Sequence, residues 1–498
     1  MRRYLRAMVD QMGLDLSLRT ALSGLRTVQQ GLNTVSGNIA NADTQGYTRK
    51  VQTQSSVVAQ GQNVGVQTGN IEREVDTALQ RETLTQESRV ANLTVLDRYL
   101  GQIETLHGTP ESESSLGNVV SQMRDGFARL MDSPNSIPLQ NEVVSLADNF
   151  ARTINRLAEG IDTIRSNVQG EIGTSVDKIN TQLKAIDDLN KQIRPAAALN
   201  QTVPDLEDKR DEAVRQVAEQ IDINVMRRGD GTIGILDHYG QPFLEGSYQA
   251  LSIDTTSISP TDAYPGTIPP IRQGDPLTGK DVTGQLRSGT LGGLLELRDK
   301  KLPQFQAQLD EFSQTVSEMF EGAGLTLFTD KLGNIPDDTP PTPTASVGYA
   351  NQIQVSQTVA NNPTILRDGD AAVRAGAADS TLLRDIVDNV MGTKHIFQTA
   401  NLGLNSSLST SLPGNADFST FATELVSYQS NLRASATSQL VPATSLRDQL
   451  KTKLSDQSGV NLDQEVSLLI QLQRSYSSSA QVVSTNRQLF NDLISIIR

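Results

Sequence analysis

The fold is decided by residues 14–39, LDLSLRTALSGLRTVQQGLNTVSGNI, in which apolar side chains recur at alternating spacings of four and three. The series begins at Leu14 and ends at Ile39. This spacing is typical of a single helix that buries an apolar seam against a partner helix. We expect the helix to stop within residues 41–46, where Asn, Asp and Gly favour turns.

The C-terminal residues 462–497 repeat the same alternation, with a second apolar seam beside the first. Two adjoining seams make a face that is too wide for one partner helix, so contacts to several neighbours are expected. Because the chain leaves and re-enters its body at these two ends, we predict that the terminal helices pair antiparallel. The predicted register places Val28 opposite Val483 and Ile39 near residues 469–473.

Between the ends, helical periodicity predicts a mainly helical body. The predicted helices cover residues 75–107, 137–193, 204–221, 291–319, 381–398 and 418–455. Pro303 predicts a kink or restart, and Pro442 predicts a break in the last of these helices. Only residues 223–286 have a β pattern, including two short strands around the turn Arg228–Gly231.

Composition excludes several classes of function. Aromatic residues make up 4% of the 498 residues, which suits slender helical rods better than a compact enzyme. The net charge of −14 disfavours nucleic acid as a partner. The chain has no Cys, its first residues lack the apolar run of a Sec signal peptide, and no stretch is apolar enough to span a membrane.

No catalytic or metal-binding constellation is present in the sequence. The three histidines, His107, His238 and His395, are far apart and match no paired-ligand spacing. The glycine-rich segment at residues 229–234 lacks the Lys-Ser/Thr of a phosphate loop and precedes a strand pattern, so a hairpin turn is expected there. The sequence therefore predicts a protein that is not an enzyme and uses no cofactor or metal.

Two terminal motifs resemble those of the flagellar rod, hook and hook-associated axial proteins. The first is SGNIANADTQGYTR at residues 36–49, and the second covers LDQEV at 462–466 through LQRSY at 472–476 and AQVVST at 480–485. The Gly46-Tyr47-Thr48-Arg49 ending and the long helical body are more similar to the hook-associated members than to rod or hook proteins. The resemblance singles out five motif residues, Asn38, Asn41, Gly46, Tyr47 and Arg49.

The resemblance implies a structural subunit of the bacterial flagellum that assembles at the hook–filament junction. It also implies an extracellular location reached through the flagellar type III export apparatus. The implied partners are copies of the chain, the hook protein, a second hook-associated junction protein and an export chaperone, with no nucleic acid and no membrane. Two alternatives stay open: another axial subunit, or a secreted enzyme or adhesin with flagellar-type ends whose activity lies in residues 223–286.

The expected fold is mainly α with a small inserted β module, arranged as an elongated multi-domain rod. Terminal helices 12–45 and 456–498 would pair as a coiled coil. The helical-bundle body would consist of residues 46–222 and 287–455, with an outer β domain formed by residues 223–286. Residues 1–11 would be a disordered or upstream-start tail. The predicted assembly interface consists of seam residues from both ends: Leu18, Leu25, Val28, Leu32, Val35, Ile39, Leu469, Leu472, Tyr476, Ala480, Val483, Phe490 and Ile494.

Overall fold

The computed structural model describes residues 2–59, 62–108, 115–337, 346–370 and 379–497. Within these ranges the chain is mainly α-helical, as predicted. The helices are α1 (Arg2–Ala40), α2 (Thr77–His107), α3 (Leu116–Asp132), α4 (Ile137–Ala198), α5 (Pro204–Gln220), α6 (Gly289–Glu296), α7 (Leu302–Gly322), α8 (Gln357–Asn361), α9 (Ile365–Asp368), α10 (Thr381–Asp385), α11 (Phe418–Ser458) and α12 (Leu462–Ile497).

The strands are short except for the first two, and every described pairing is antiparallel. They are β1 (Lys50–Ala59), β2 (Gln62–Arg73), β3 (Asn224–Arg227), β4 (Ile233–Leu236), β5 (Pro242–Glu245), β6 (Ser247–Tyr248), β7 (Leu251–Ser252), β8 (Arg272–Gln273), β9 (Lys280–Asp281), β10 (Phe328–Thr329), β11 (Gln354–Val355), β12 (His395–Ile396), β13 (Ala400–Leu402), β14 (Leu408–Ser409) and β15 (Asn415–Ala416).

The body is built around α4, the longest helix, whose apolar residues are buried along its whole length. Helices α2, α3, α5, α7 and α11 contribute to the same apolar core. The core includes an aromatic group around Phe312, whose ring centroid lies 5.5 Å from that of Phe421 and 5.9 Å from that of Phe150. The restart predicted at Pro303 is confirmed, because a π-helical turn over Leu297–Lys301 separates α6 from α7.

Two details of the body helices differ from the predictions. Helix α11 runs without a break through Pro442, which lies on a solvent-exposed face where the unpaired carbonyl can be hydrated. The predicted helix 381–398 is wrong beyond its first turns: α10 and a π-helical turn over Ile386–Val390 are followed by a turn at Gly392 and by β12.

The hairpin β1–β2 corrects the prediction that β structure is confined to residues 223–286 and that the helical body begins at residue 46. It packs on α1 through polar groups: the Thr20 hydroxyl donates to the Val64 carbonyl at 3.1 Å, and Ser23 Oγ accepts from Val66 N at 3.1 Å. The sequence did not reveal it because five consecutive residues of β1, 54–58, are solvent-exposed and show no burial alternation. The hairpin therefore packs on a terminal helix.

The β module is present, since β3–β9 lie within residues 223–286. Its apolar residues belong to the same core as α4. Side chains of α4 also bind its backbone: Asn190 Nδ2 donates to the Ile233 carbonyl at 2.8 Å, and Asn180 Nδ2 donates to the Leu251 carbonyl at 2.7 Å. The module is thus a lateral extension of the body.

The segment predicted as a disordered or upstream-start tail, residues 1–11, is helical in the structure from Arg2 onward as part of α1. Residues 2–12 contain no Pro or Gly, so nothing in the chain stops the helix before Gly13.

Candidate assembly site

The terminal helices α1 and α12 pair antiparallel, as predicted. Two hydrogen bonds and two close approaches define the register of the pair. In the hydrogen bonds, Ser17 Oγ donates to Asn486 Oδ1 at 3.1 Å, and Asn38 Nδ2 donates to Glu465 Oε2 at 3.1 Å.

Between these ends, glycines of α1 face α12. A Cβ atom at Gly24 would lie 3.9 Å from Ser479 Oγ, and one at Gly31 would lie 3.3 Å from Leu472 Cδ1. Each facing residue is therefore seven positions from the next on both helices, which is the spacing of a coiled coil.

The predicted register is wrong by about one heptad. Val28 lies at the level of residue 475, eight positions from the predicted Val483, which corresponds to about 12 Å along the helix axis. The seams alone repeat every seven residues and fit several registers. The observed register is fixed by the polar contacts at Asn38 and Ser17.

The predicted interface residues of α1 are all at least half-buried. Val35 is buried and the others are half-buried: Leu18, Leu25, Val28, Leu32 and Ile39. On α12, the half-buried members of the predicted interface are Leu469, Leu472, Ala480 and Val483. The side chain of Ile494 lies outside the described residues.

Helix α12 keeps a large apolar surface in solvent. Tyr476 and Phe490, both predicted as interface residues, are 38% and 39% exposed. Five further large apolar side chains of α12 are exposed: Leu462, Val466, Ile470, Val482 and Leu489. One chain therefore covers only part of the wide apolar face that the sequence indicated.

The C-terminal end of α1 is tied to the rest of the chain by Asn38, which is 1% exposed. Its Oδ1 accepts from Lys50 N at 3.1 Å and from the Tyr47 hydroxyl at 3.0 Å, and its Nδ2 donates to the Lys50 carbonyl at 2.9 Å and to Glu465. All four hydrogen-bonding positions of the amide are thus used. Asn38 joins α1, β1 and α12 at a single point, which we call the joint.

Arg49 and Glu465 form the charged part of the joint. Glu465 is fully buried, and Arg49 Nε donates to its Oε1 at 2.7 Å while Arg49 Nη1 donates to Glu74 Oε2 at 2.8 Å. The hydrogen bond to Glu465 raises the pKa of Arg49 above its ordinary value. Arg49 N also donates to the Ser458 carbonyl at 2.8 Å, which connects the joint to the end of α11.

Helix α5 holds the joint against the body through its acidic face. Thr48 Oγ1 donates to Asp208 Oδ1 at 2.6 Å, and Lys50 Nζ pairs with Asp205 and lies 3.5 Å from Asp208 Oδ2. Burial alone would lower the pKa of Lys50, but the bond to Asp205 and the neighbouring charges raise it. The Lys50 ammonium also lies 3.8 Å from the centroid of the Tyr47 ring, which is a cation–π distance.

Arg73, at the end of β2, completes this contact with α5. It is largely buried, and its guanidinium lies 2.8 Å from Glu207, 2.9 Å from Asp208 and 2.9 Å from Asp211. Charged groups so arranged are costly to bury singly but stabilise one arrangement when they are fully paired. The network connects the terminal hairpin to the body.

The two remaining motif residues shape the turn between α1 and β1. Asn41 Nδ2 donates to the Gly37 carbonyl at 2.9 Å, which caps the C-terminal end of α1. Gly46 has φ +78°, a left-handed conformation that favours glycine. All five motif residues therefore lie at the joint or in the turn that leads to it.

Sequence reasoning missed the partners of the motif. Glu465 lies in the second quoted motif but was not singled out, and Asp208 and Arg73 carried no motif signal at all. The available signal was a charged residue inside a seam: Glu465 occupies the same heptad position as Leu472, where an apolar residue is expected.

The described residues contain no group of three or more His, Asp or Glu side chains that could hold a metal ion. Among them, no helix combines the length and apolar content needed to cross a membrane.

Three protein families match this chain in succession. The helical domain of flagellar hook-associated protein FlgK matches residues 100–326, the flagella basal body rod protein family matches residues 18–48, and the C-terminal family of basal body rod FlgEFG proteins matches residues 455–496. The two rod matches coincide with α1 and α12, and the helical-domain match covers the central part of the body. In these three segments the chain resembles the flagellar rod, hook and hook-associated proteins.

Relatives that match the chain along nearly its whole length are named flagellar hook-associated protein 1. Flagellar hook-associated protein 1 of Bacillus subtilis (strain 168) is 24% identical over 525 residues, covering 96% of this chain and 97% of the relative. Flagellar hook-associated protein 1 of Escherichia coli (strain K12) is 24% identical over 559 residues, covering 96% and 99%. The flagellar hook junction protein FlgK from Burkholderia pseudomallei matches 51% of this chain and 45% of its own, with 21% identity and a TM-score of 0.44.

Proposed function

We propose that this protein is a structural subunit of the bacterial flagellum that self-assembles at the hook–filament junction and joins hook to filament. The observation that carries the proposal is the exposed apolar face of α12 on a paired set of axial-type terminal helices. Full-length similarity to hook-associated protein 1 supports the position at the junction.

The exposed face of α12 supports assembly from copies of the chain. Each large apolar side chain that passes from solvent to a packed contact contributes about 1.5–3 kcal/mol when fully buried. Seven such side chains are exposed on α12, so a neighbouring helix has a strong driving force to cover them. Because a head-to-tail contact of this kind repeats around an axis, one subunit type can build a ring.

We further propose a layered arrangement. The coiled coil of α1 and α12 forms the innermost layer, and hairpin β1–β2, packed on α1, belongs to it. The body forms the next layer, and its lateral β extension, residues 223–286, faces outward. This plan follows from the joint, which connects the coiled coil to the body at α5 and at the end of α11.

The proposed partners are the hook protein on one side of the ring and a second hook-associated junction protein on the other. Before assembly, an export chaperone covers the apolar face of α12. Export through the flagellar type III apparatus brings the protein to its extracellular position. The protein acts without catalysis, and its similarity to structural flagellar proteins supports this part of the proposal.

Two-colour fluorescent labelling of this chain and of the hook protein tests the proposal. We expect a single band of this chain at the distal end of each hook. Label along the whole hook would indicate a hook subunit, and label within the cell envelope would indicate a rod subunit. Label spread over the cell surface or lost to the medium would contradict a structural role in the axis.

A further inference from the structure

The rotation of α12 about its own axis is not the one that apolar packing alone would select. The series of residues that points at α1 is Glu465, Leu472, Ser479 and Asn486, of which only Leu472 is apolar. A neighbouring heptad series is entirely apolar and consists of Leu462, Leu469, Tyr476, Val483 and Phe490. At about 100° per residue, the apolar series is turned by roughly 50° from the direction of α1.

Exposed apolar side chains flank the facing series on both sides. Tyr476 and Phe490 of the apolar series are 38% and 39% exposed, and Val482 and Leu489 on the other flank are 47% and 48% exposed, whereas Glu465 in the facing series is fully buried. A turn of α12 by roughly 50° would centre the apolar series on α1 and move Glu465 to the edge of the contact. The hydrophobic effect favours a turn in this direction, because Ser475 interrupts the series on the other flank.

Polar contacts at both ends oppose the turn. Glu465 accepts from Asn38 Nδ2 at 3.1 Å and from Arg49 Nε at 2.7 Å, and both donors are held in place by the joint. At the far end, Asn486 accepts from Ser17. The Glu465 contact is the stronger one, because its groups are charged and the carboxylate is fully buried. A single buried polar group that selects one arrangement of a coiled coil at some cost in stability is a known device.

We propose that Glu465 sets the rotation of α12 and thereby keeps the apolar series available for a second copy of the chain. This inference rests on the proposed self-assembly and names the positioning residue for it. Without Glu465, α12 would turn its apolar series onto α1 within the same chain, and the assembly face would be smaller.

Disulfide trapping in the full-length chain tests the rotation directly, because the chain has no other cysteine. Gly24→Cys is combined either with Ser479→Cys, which faces it, or with Ala480→Cys, which lies about 100° further around α12. In the otherwise unchanged chain, the 24–479 bond should form in about tenfold excess over the 24–480 bond, since a disulfide needs close Cα atoms. In the Glu465→Leu background the two yields should become about equal.

The controls separate rotation from a general loss of structure. Asp463→Leu removes an exposed carboxylate from the same first turn of α12 and should keep the tenfold preference. Glu465→Gln keeps an oxygen that can accept from Asn38 and should keep most of the preference. If Glu465→Leu fails to fold, Glu465→Ala removes both hydrogen bonds of the carboxylate with a smaller side chain and should equalise the yields.

An unchanged preference for position 479 in Glu465→Leu, or in Glu465→Ala when that variant is needed, overturns the proposal. Equal yields in Asp463→Leu also overturn it, because the effect would then belong to any charge in this turn. These yields are measured in the isolated chain and do not depend on assembly. Failure of the proposed function, which the labelling experiment detects, is therefore distinguishable from failure of this inference.

Discussion

Replacement of Asn38 by alanine removes the central hydrogen-bonding group of the joint. The change removes the Asn38 partner from three buried groups: the Lys50 amide, the Lys50 carbonyl and one oxygen of Glu465. An unsatisfied buried polar group costs about 1–3 kcal/mol, so we expect the pairing of α1 with α12 to lose about 3 kcal/mol. Since about 1.4 kcal/mol is a factor of ten, the protection of these helices should fall by about 100-fold.

Hydrogen exchange followed by mass spectrometry measures that loss locally, in peptides from residues 28–40 and 462–472. Asn33→Ala is the matched control, because Asn33 lies on the same helix with an exposed side chain. The control should change protection by less than about 0.5 kcal/mol. If Asn38→Ala exchanges no faster than Asn33→Ala, the joint does not hold the terminal helices and the reasoning from its hydrogen bonds is refuted.

Three further substitutions test other parts of the structure. Ala480→Pro should destabilise helix α12 by about 3 kcal/mol or more. We expect motility to be abolished while the temperature of the thermal transition of the body is unchanged. Normal swimming would count against the terminal-helix mechanism. Burial lowers the pKa of His107, whose Nε2 lies 2.6 Å from Gln429 Oε1. As the pH falls, the unfolded chain therefore binds a proton at His107 before the folded chain does. The free energy of unfolding should then decrease as the pH drops below 6.5, the ordinary pKa of histidine. Urea unfolding of His107→Gln should show a smaller loss between about pH 7 and about pH 5, and an equal loss in both proteins would exclude His107 as the cause. Gly65 has φ +153°, and a Cβ atom there would lie 2.6 Å from Ser23 Oγ. Gly65→Val should therefore weaken the packing of the hairpin on α1 and speed proteolysis within residues 50–73. An unchanged rate of cleavage would show that the hairpin does not depend on this contact.

The helices were predictable because their sequence signals are local. The seam from Leu14 to Ile39 reports which face of α1 is buried, and Pro204 marks the start of α5, where its missing N–H costs nothing. The antiparallel direction of α1 and α12 followed from the path of the chain. These inferences needed no knowledge of any residue far away in the sequence.

The register and the rotation of α12 were not predictable from the seams. A seven-residue repeat fits equally well after a shift of seven residues, so polar contacts determine which register is adopted. One such contact joins Asn38 to Glu465, which are 427 positions apart in the sequence. In a single sequence no signal connects such a pair. The motif residues were identified by resemblance, but their joint geometry became visible only in the fold.

The β structure was mispredicted for a related reason. Hairpin β1–β2 is stabilised by hydroxyl contacts such as that of Thr20, and its exposed residues 54–58 lack the alternation of a half-buried strand. The β module around Ile233 and Leu251 has the expected strands. However, its attachment to α4 through Asn190 and Asn180 could not be read from a local pattern.

Electron microscopy of cells that lack this protein tests the central claim most directly. A subunit that joins hook to filament predicts complete hooks without filaments, with flagellin released into the medium, and recovery of filaments when the unchanged gene is restored. Normal filaments on the deletion strain would contradict the claim, and so would the absence of hooks, which would place the subunit nearer to the cell.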